Sequence, residues 1–400
     1  LLSSALNLID KNTISGYRIS SAWAKEQHLY FYLKLDTPYK KSKIISKNGQ
    51  HKLLLTFPEE TKSLTLKIGI SAVNEKGAAN NLNTEIPGWS LHELRAESVK
   101  KWNNELNKIQ IEDENVTNKS IFYTALYHTL IAPNLFSDVD GLYRGRDQKI
   151  HQLKSTKDQQ YTVFSLWDTY RATHPLYTII QQEKTNQFIN TFLRQFDEGG
   201  DLPVWELAGN ETECMIAYHS VSVIADAYLK GINNFNSKKA LEAMVFTAKI
   251  NELAKQQYAA QGFISSDQEP ESVSKTLEYA YDDFCISAMA KAMGDELIAN
   301  EFEKRSYNFL NIHDPSTGFM RPRRNGNWLS PFDPLEVNNH YTEANSYQYS
   351  FFVPQDIPGM IDMMGGANLF DKKLDGLFNA PTSTTGRQQA DITGLIGQYA

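Results

Sequence analysis

The chain has little cysteine, no long apolar run and no dense basic run, and each shortage closes off a class of protein. Cys214 and Cys285 are the only two cysteines; they cannot build a disulfide framework, show no metal-ligand spacing, and read as buried free thiols in helix-like patterns. No stretch approaches the ~20 apolar residues of a membrane-spanning helix. The net charge of −7 argues against a nucleic-acid partner, and Lys40-Lys41-Ser42-Lys43 reads as a solvated loop. P-loop, GxGxxG, GxSxG and HExxH patterns are all missing, which removes the motif-borne forms of nucleotide, serine-hydrolase and zinc-protease chemistry. There is no initiating methionine or signal peptide. Leu1 opens in mid-fold and Asp391 to Ala400 reads as an unfinished helix start, so a fragment of a larger protein is expected.

What is present points to two domains. Four hundred residues exceed one small core, and 41% hydrophobic with 22% charged residues is ordinary globular composition. Twelve per cent aromatic residues hint at carbohydrate contacts, although core packing accounts for most of them. From Leu1 to about Glu85 apolar residues alternate at period two, in Trp23 to Leu35, Lys43 to Ser46, His51 to Thr56 and Ser63 to Val73, with a turn at Asn48-Gly49. Residues 1–87 are therefore expected to be the latter part of a β-sandwich. Ile86-Pro87-Gly88-Trp89-Ser90 changes the period, and Ser90 can cap a linker helix in 88–115. Helical patterns recur from 116 to 400, at about 116–134, 164–196, 215–231, 238–259, 274–293, 296–311, 342–353 and 369–378. Helices in succession with motif-bearing loops suit a toroid of helical hairpins whose site lies where the loops gather.

The stretch His340 to Asp356 is the strongest chemical candidate. It sets Glu343 among Asn345, Gln348, Tyr341, Tyr347, Tyr349, Phe351 and Phe352, with a second acid at Asp356. A sugar presents C–H faces to aromatic rings and hydroxyls to amides. A carboxyl held against rings is desolvated and retains its proton near neutral pH, as a general acid requires. The plainer alternative is a helix start with Thr342 as N-cap and Glu343 facing the positive helix end.

Other loops carry weaker signals. Asp138 to Asp147 is a charged hairpin or a cleft wall. Phe164 to Arg171 sets Trp167 beside Asp168, a clamp for sugar hydroxyls or a capping arrangement behind Ser165. Glu206 and Glu211, on a glycine-flanked loop, are candidate acids, bases or ligands, and His219 lacks a zinc partner at ligand spacing. Glu278, Asp282 and Asp283 read as helix-face charge, and Arg321 or Arg323 can orient a carboxylate or pair with Asp333.

Together these blocks carry a family resemblance. Lys67 to Ser71, Glu85 to Trp89, Tyr143-Arg144-Gly145, Phe164 to Arg171 with His174-Pro175, Gly209 to Thr212 with Met215-Ile216 and His219, Tyr281-Asp282-Asp283, Gly318 to Arg321, Tyr341-Thr342-Glu343, Gln348-Tyr349 and Val353 to Asp356 occur in this order. In that order and spacing the chain resembles glycoside hydrolase family 92, exo-acting α-mannosidases. The resemblance implies a mainly α fold with a β domain: a partial β-sandwich followed by a partial (α/α)6 barrel. It implies hydrolysis of terminal α-mannose from N-glycans or mannan with inversion, a calcium ion in the sugar subsite, and export by a bacterium to the periplasm or exterior. Glu343 matches the general acid, and Trp167, Asp168 and Thr169 match the segment that holds the terminal mannose. With Glu211, His219, Arg321, Gln348 and Asp356 they form the expected substrate-binding set.

One departure qualifies this. Inversion needs a second carboxylate, about 6.5–9.5 Å from the first. The family's base motif and a Gly-Asn-Glu-Pro motif are expected beyond residue 400, with the calcium shell, so these residues alone are expected to be inactive. A non-catalytic glycan-binding protein on the same scaffold is the alternative. A polysaccharide lyase, needing a basic cleft, fits the acidic balance less well.

Overall fold

The computed structural model describes residues 1–155, 157–380 and 383–388. They form two compact units, Leu1–Ser165 with Leu176–Glu213, and Leu166–Pro175 with the chain from Cys214 onward. The change of backbone period at residues 86–90 is thus not where the units part.

In the first unit, strands β1 (Ser3–Leu8), β2 (Thr13–Ser20), β3 (Gln27–Leu35) and β6 (Leu66–Ser71) make an antiparallel sheet in the order β1-β2-β3-β6. Strands β4 (Lys41–Lys47) and β5 (Gln50–Thr56) form a hairpin, and its turn at Asn48 and Gly49 has φ of 50° and 72°, the twist that two-residue hairpins favour. Leu53 and Leu55 of the hairpin meet Ile14, Phe31, Leu33 and Leu35 of the sheet, which makes the two-layer sandwich core. Alternation along the strands dictates this, since every second residue faces the same way.

The other face of the sheet is covered by a helix that the period-two reading of 1–87 omits. Helix α1 (Glu75–Glu85) is capped by Asn74, whose side chain accepts from the Gly77 amide, and buries Ala78 and Leu82. Gly69 permits its approach: a Cβ there would lie 2.2 Å from the Ala78 carbonyl oxygen. Ser90 caps α2 (Leu91–Leu106) as expected, and α3 (Val116–Thr129) follows. Residues Leu142–Arg144 and Ile150–Gln152 form the charged hairpin, with Arg146 paired to Asp201.

Helices α4 (Leu166–Thr169), α5 (Thr173–Ile180) and α6 (Gln182–Gly199) replace the continuous helical pattern of 164–196. The second unit then runs through α7 (Ser220–Leu229), α8 (Ser237–Lys249), α9 (Lys255–Gln261), α10 (Ser272–Met293) and α11 (Glu296–Ser306). It closes with α12 (Ser346–Tyr349), α13 (Ile357–Met363) and α14 (Ala367–Phe378). Helix α10 is buried along most of its length and packs against α7, α8 and α11. Its first turns join Phe309, Ile312, Met320, Tyr341, Tyr349 and Val353 in one core.

The helix expected over 342–353 is only the single turn α12, and its cap is Asn345 rather than Thr342. Cys285 is buried and Cys214 half-buried, both as free thiols. Among the described residues no helix is long and apolar enough to cross a membrane. The helix start read at Asp391 to Ala400 lies outside the described residues.

Candidate active site

Glu343 sits in the second unit on the loop leading into α12. Its φ of 48° is left-handed, a region that a residue with a side chain enters only when its surroundings hold it there. The holding groups are visible on both sides. The Thr342 amide donates to Ser274 Oγ at 2.9 Å and the Tyr341 hydroxyl to the Met320 carbonyl at 2.8 Å. Downstream, Asn345 and Gln348 exchange the two hydrogen bonds of a capping box, and Ser346 Oγ donates to Met320 at 2.7 Å. Thr342 and Ala344 are enclosed while Glu343 between them is half-buried.

The acids on α10 are not solvated charge. Glu278, Asp282 and Asp283 are all fully buried, and each has a partner. Glu278 and Asp282 are four residues apart, so they share a helix face and close on the two nitrogens of His219 from either side. His219 Nε2 lies 3.0 Å from Glu278 and Nδ1 2.8 Å from Asp282. Burial would push this imidazole down, but the two carboxylates outweigh it and raise it to about 9, which makes it a buried cation. Glu278 also accepts from Trp167 Nε1, at 3.3 and 3.1 Å to its two oxygens, and from the Tyr349 hydroxyl at 3.0 Å. Asp283, one residue further round the helix, takes Arg305 Nε at 2.9 Å and the Tyr258 and Tyr218 hydroxyls at 3.0 and 3.1 Å.

The structure therefore joins Trp167 and His219 through Glu278, and ties both to the segment that carries Glu343 and Gln348. Asp168 is exposed and Thr169 half-buried beside Trp167. The remaining expected residues hold the chain in shape. Glu211, in the first unit, accepts from four backbone amides, those of Val204, Trp205, Thr212 and Glu213, at 2.9 to 3.0 Å. Arg321 pairs with Asp314 at 2.8 Å, not with Asp333, and Asp356 caps α13 through the Gly359 amide at 2.9 Å. Sequence reasoning missed Glu278 and Asp282 as partners of a buried histidine. Their four-residue spacing between Tyr279, Ala280 and Tyr281, on a helix with few basic neighbours, was the available signal.

Among the described residues no three carboxylate, imidazole or thiol side chains are grouped so as to hold a metal ion. The calcium implied by the resemblance therefore finds no side-chain cage of that kind here.

Residues 77–400 match the model of the glycosyl hydrolase family 92 catalytic domain. The chain belongs to glycoside hydrolase family 92. A family 92 α-mannosidase from Bacteroides thetaiotaomicron is 37% identical, with a TM-score of 0.88 over 94% of this chain and 53% of its own. The same enzyme in complex with mannoimidazole superposes with a TM-score of 0.91, at 35% identity over 98% of this chain and 55% of its own. A family 92 inverting mannosidase from that organism is 28% identical, with a TM-score of 0.87 over 95% and 55%. Among curated proteins, a secreted glycosidase of Arthroderma benhamiae is 23% identical over 84% of this chain and 45% of its own length. The chain thus spans about half the length of the relatives it matches. As a family 92 fold it is mainly α with a β domain, sandwich strands first and (α/α)6-barrel helices after them.

Proposed function

We propose that the protein is an exo-acting α-mannosidase that releases terminal mannose from glycans with inversion, and that Glu343 is its general acid. The observation that carries this reading is the backbone of Glu343: a left-handed, half-buried glutamate between two enclosed residues. Strain of that kind costs about 1–3 kcal/mol and collects where a side chain must be aimed. Family membership and the mannoimidazole complex of a relative supply the substrate class. Inversion follows the family 92 relative that is named for it.

In this mechanism the Glu343 carboxyl gives its proton to the departing glycosidic oxygen as the C1–O bond breaks. Water attacks the opposite face and loses a proton to a second carboxylate, so an α-mannoside yields β-mannose. Neither Asp283 nor Asp356 is given that second role, since the first is locked to Arg305 and the second caps a helix. Trp167, Asp168 and Thr169 are assigned to the terminal mannose. A calcium requirement belongs to the proposal, but no step is drawn through the ion. Work outside the cytoplasm belongs to it too, on the strength of the secreted relative, and cell fractionation would check it.

The test is the full-length protein on a panel of α-linked mannobioses, followed by proton NMR. Release of free mannose that appears first as the β-anomer, lost with a chelator and restored by calcium, is the expected result. Release as the α-anomer contradicts inversion, and sugar binding without release makes the protein a lectin on this scaffold.

A further inference from the structure

The row Glu278–His219–Asp282 has no part in the proton transfers above, yet it is among the most expensive arrangements in the molecule. Two carboxylates and an imidazole lie in a dry interior, with Glu278, His219 and Asp282 at 0, 1 and 0% exposure. Burying ions costs several kcal/mol apiece, and well-packed apolar side chains of the same volume would often hold the fold as well or better. Stability alone therefore does not account for it. What an apolar set cannot do is collect several hydrogen-bond donors at one point.

That is what Glu278 does. Its two oxygens receive the Trp167 indole N–H, the Tyr349 hydroxyl and His219 Nε2, all within 3.3 Å. Trp167 precedes Asp168 and Thr169 in α4, and Tyr349 ends α12, six residues after Glu343. The other side of His219 is fixed in turn: Asp282 holds its Nδ1 and also accepts the Tyr218 amide at 2.9 Å, while the Tyr170 ring stacks on the imidazole at 3.8 Å. The segment assigned to the sugar and the segment assigned to the acid thus end on one carboxylate, whose position His219 and Asp282 determine from behind.

We propose that Glu278 is a positioning residue for the mannosidase reaction, setting the Trp167–Thr169 segment and the Glu343–Tyr349 segment in register with one another through a single buried carboxylate. This rests on the function proposed above. Glu278 touches neither the sugar nor the departing oxygen, so its effect is transmitted through Trp167 and Tyr349. Misplacement of a reacting group by an ångström costs about 100-fold.

The test is a set of variants in the full-length protein: Glu278→Gln, Trp167→Phe, Tyr349→Phe and their pairs. Each is assayed with 4-nitrophenyl α-mannoside and with an α-mannobiose, alongside mannoimidazole inhibition and thermal midpoint. Trp167→Phe keeps an aromatic ring and deletes one of the three donors to Glu278; Tyr349→Phe deletes a second and leaves His219 in place. The expected result is a fall in kcat/KM of about 100-fold for Glu278→Gln, with mannoimidazole binding weakened in parallel. The losses should not multiply, so that Glu278→Gln with Trp167→Phe is no worse than Glu278→Gln alone. A merely structural role would lower the thermal midpoint and leave kcat/KM of the folded fraction unchanged. That outcome, or losses that multiply as for independent sites, overturns the proposal. Should Glu278→Gln fail to fold, the pair Trp167→Phe and Tyr349→Phe decides: wild-type kcat/KM in both, or fully multiplying losses, overturns it. A wild-type protein that neither hydrolyses α-mannosides nor is inhibited by mannoimidazole defeats the reading of function and takes this inference with it. An active wild type with an unaffected Glu278→Gln variant defeats this inference alone.

Discussion

Glu206 in the first unit and the α10 acids in the second are equally inaccessible, but they are neutralised in opposite ways. Glu206 is fully buried; one oxygen accepts from the Thr162 hydroxyl at 3.0 Å and the Gly209 amide at 2.7 Å, and the other has no partner among the described residues. Burial raises its pKa to about 8, against those two hydrogen bonds, so at neutral pH it keeps its proton. Asp283 faces Arg305, and Glu278 and Asp282 share His219, so there each carboxylate faces a cationic partner, three acids on two cations. A neutral buried acid is a local, titratable part of its loop. A paired one fixes the position of everything bonded to it, and only the second kind lies behind the site.

The largest test of this contrast breaks a pair. Arg305→Met strands the Asp283 carboxylate among Tyr218 and Tyr258, and chemical denaturation should show a loss of about 3–5 kcal/mol. Adding Asp283→Leu should recover much of it. A loss below about 1 kcal/mol for the single variant would mean that the pair contributes no more than an exposed one.

Next in size is the pH response, where the two units differ in window rather than sign. The folded pKa of Glu206, about 8, lies above its ordinary 4.5, so its contribution is complete below 4.5 and drains away as pH rises to about 8. His219, raised from 6.5 to about 9, contributes fully below 6.5 and loses that contribution between there and about 9. Each slope is at most about 1.4 kcal/mol per pH unit. Glu206→Gln should flatten the lower window alone, as read from unfolding midpoints between pH 5 and 8. An unchanged slope in that variant would show that Glu206 is ionised in the folded protein.

The smallest expected effect is at the cap of α12. Asn345→Ala removes the capping box and should cost about 1 kcal/mol of stability. Its kinetic effect should be larger than its thermodynamic one, because the same box fixes the segment that carries Glu343. Equal proportional effects would argue that the segment is not positioned by its cap.

Strand β5 was readable because its alternate residues turn inward, which writes a period of two into residues 50–56, whereas β4 beside it is exposed along its whole length. Helix α1 was not, since its Glu-Lys-Gly-Ala-Ala-Asn-Asn run is weakly amphipathic and is made helical by the Asn74 cap and the sheet beneath it. The Glu343 stretch stood out by composition. Its conformation did not: the apolar run over 347–353 suggests a longer helix, whereas tertiary hydrogen bonds from Tyr341, Thr342 and Ser346 stop it at one turn. Glu278 and Asp282 escaped because a charged helix face is usually wet, and only the packing of α7 against α10 shows that this one is dry.

The claim on which the mechanism stands is that Glu343 supplies a proton to the leaving group, and the most direct measurement compares Glu343→Gln on 2,4-dinitrophenyl α-mannoside and on an α-mannobiose. The dinitrophenolate departs without a proton, so its kcat should fall by less than about tenfold while that of the mannobiose falls by about 10²–10⁴, with mannoimidazole still bound. Equal losses on both substrates, or no loss on either, would take Glu343 out of the acid role.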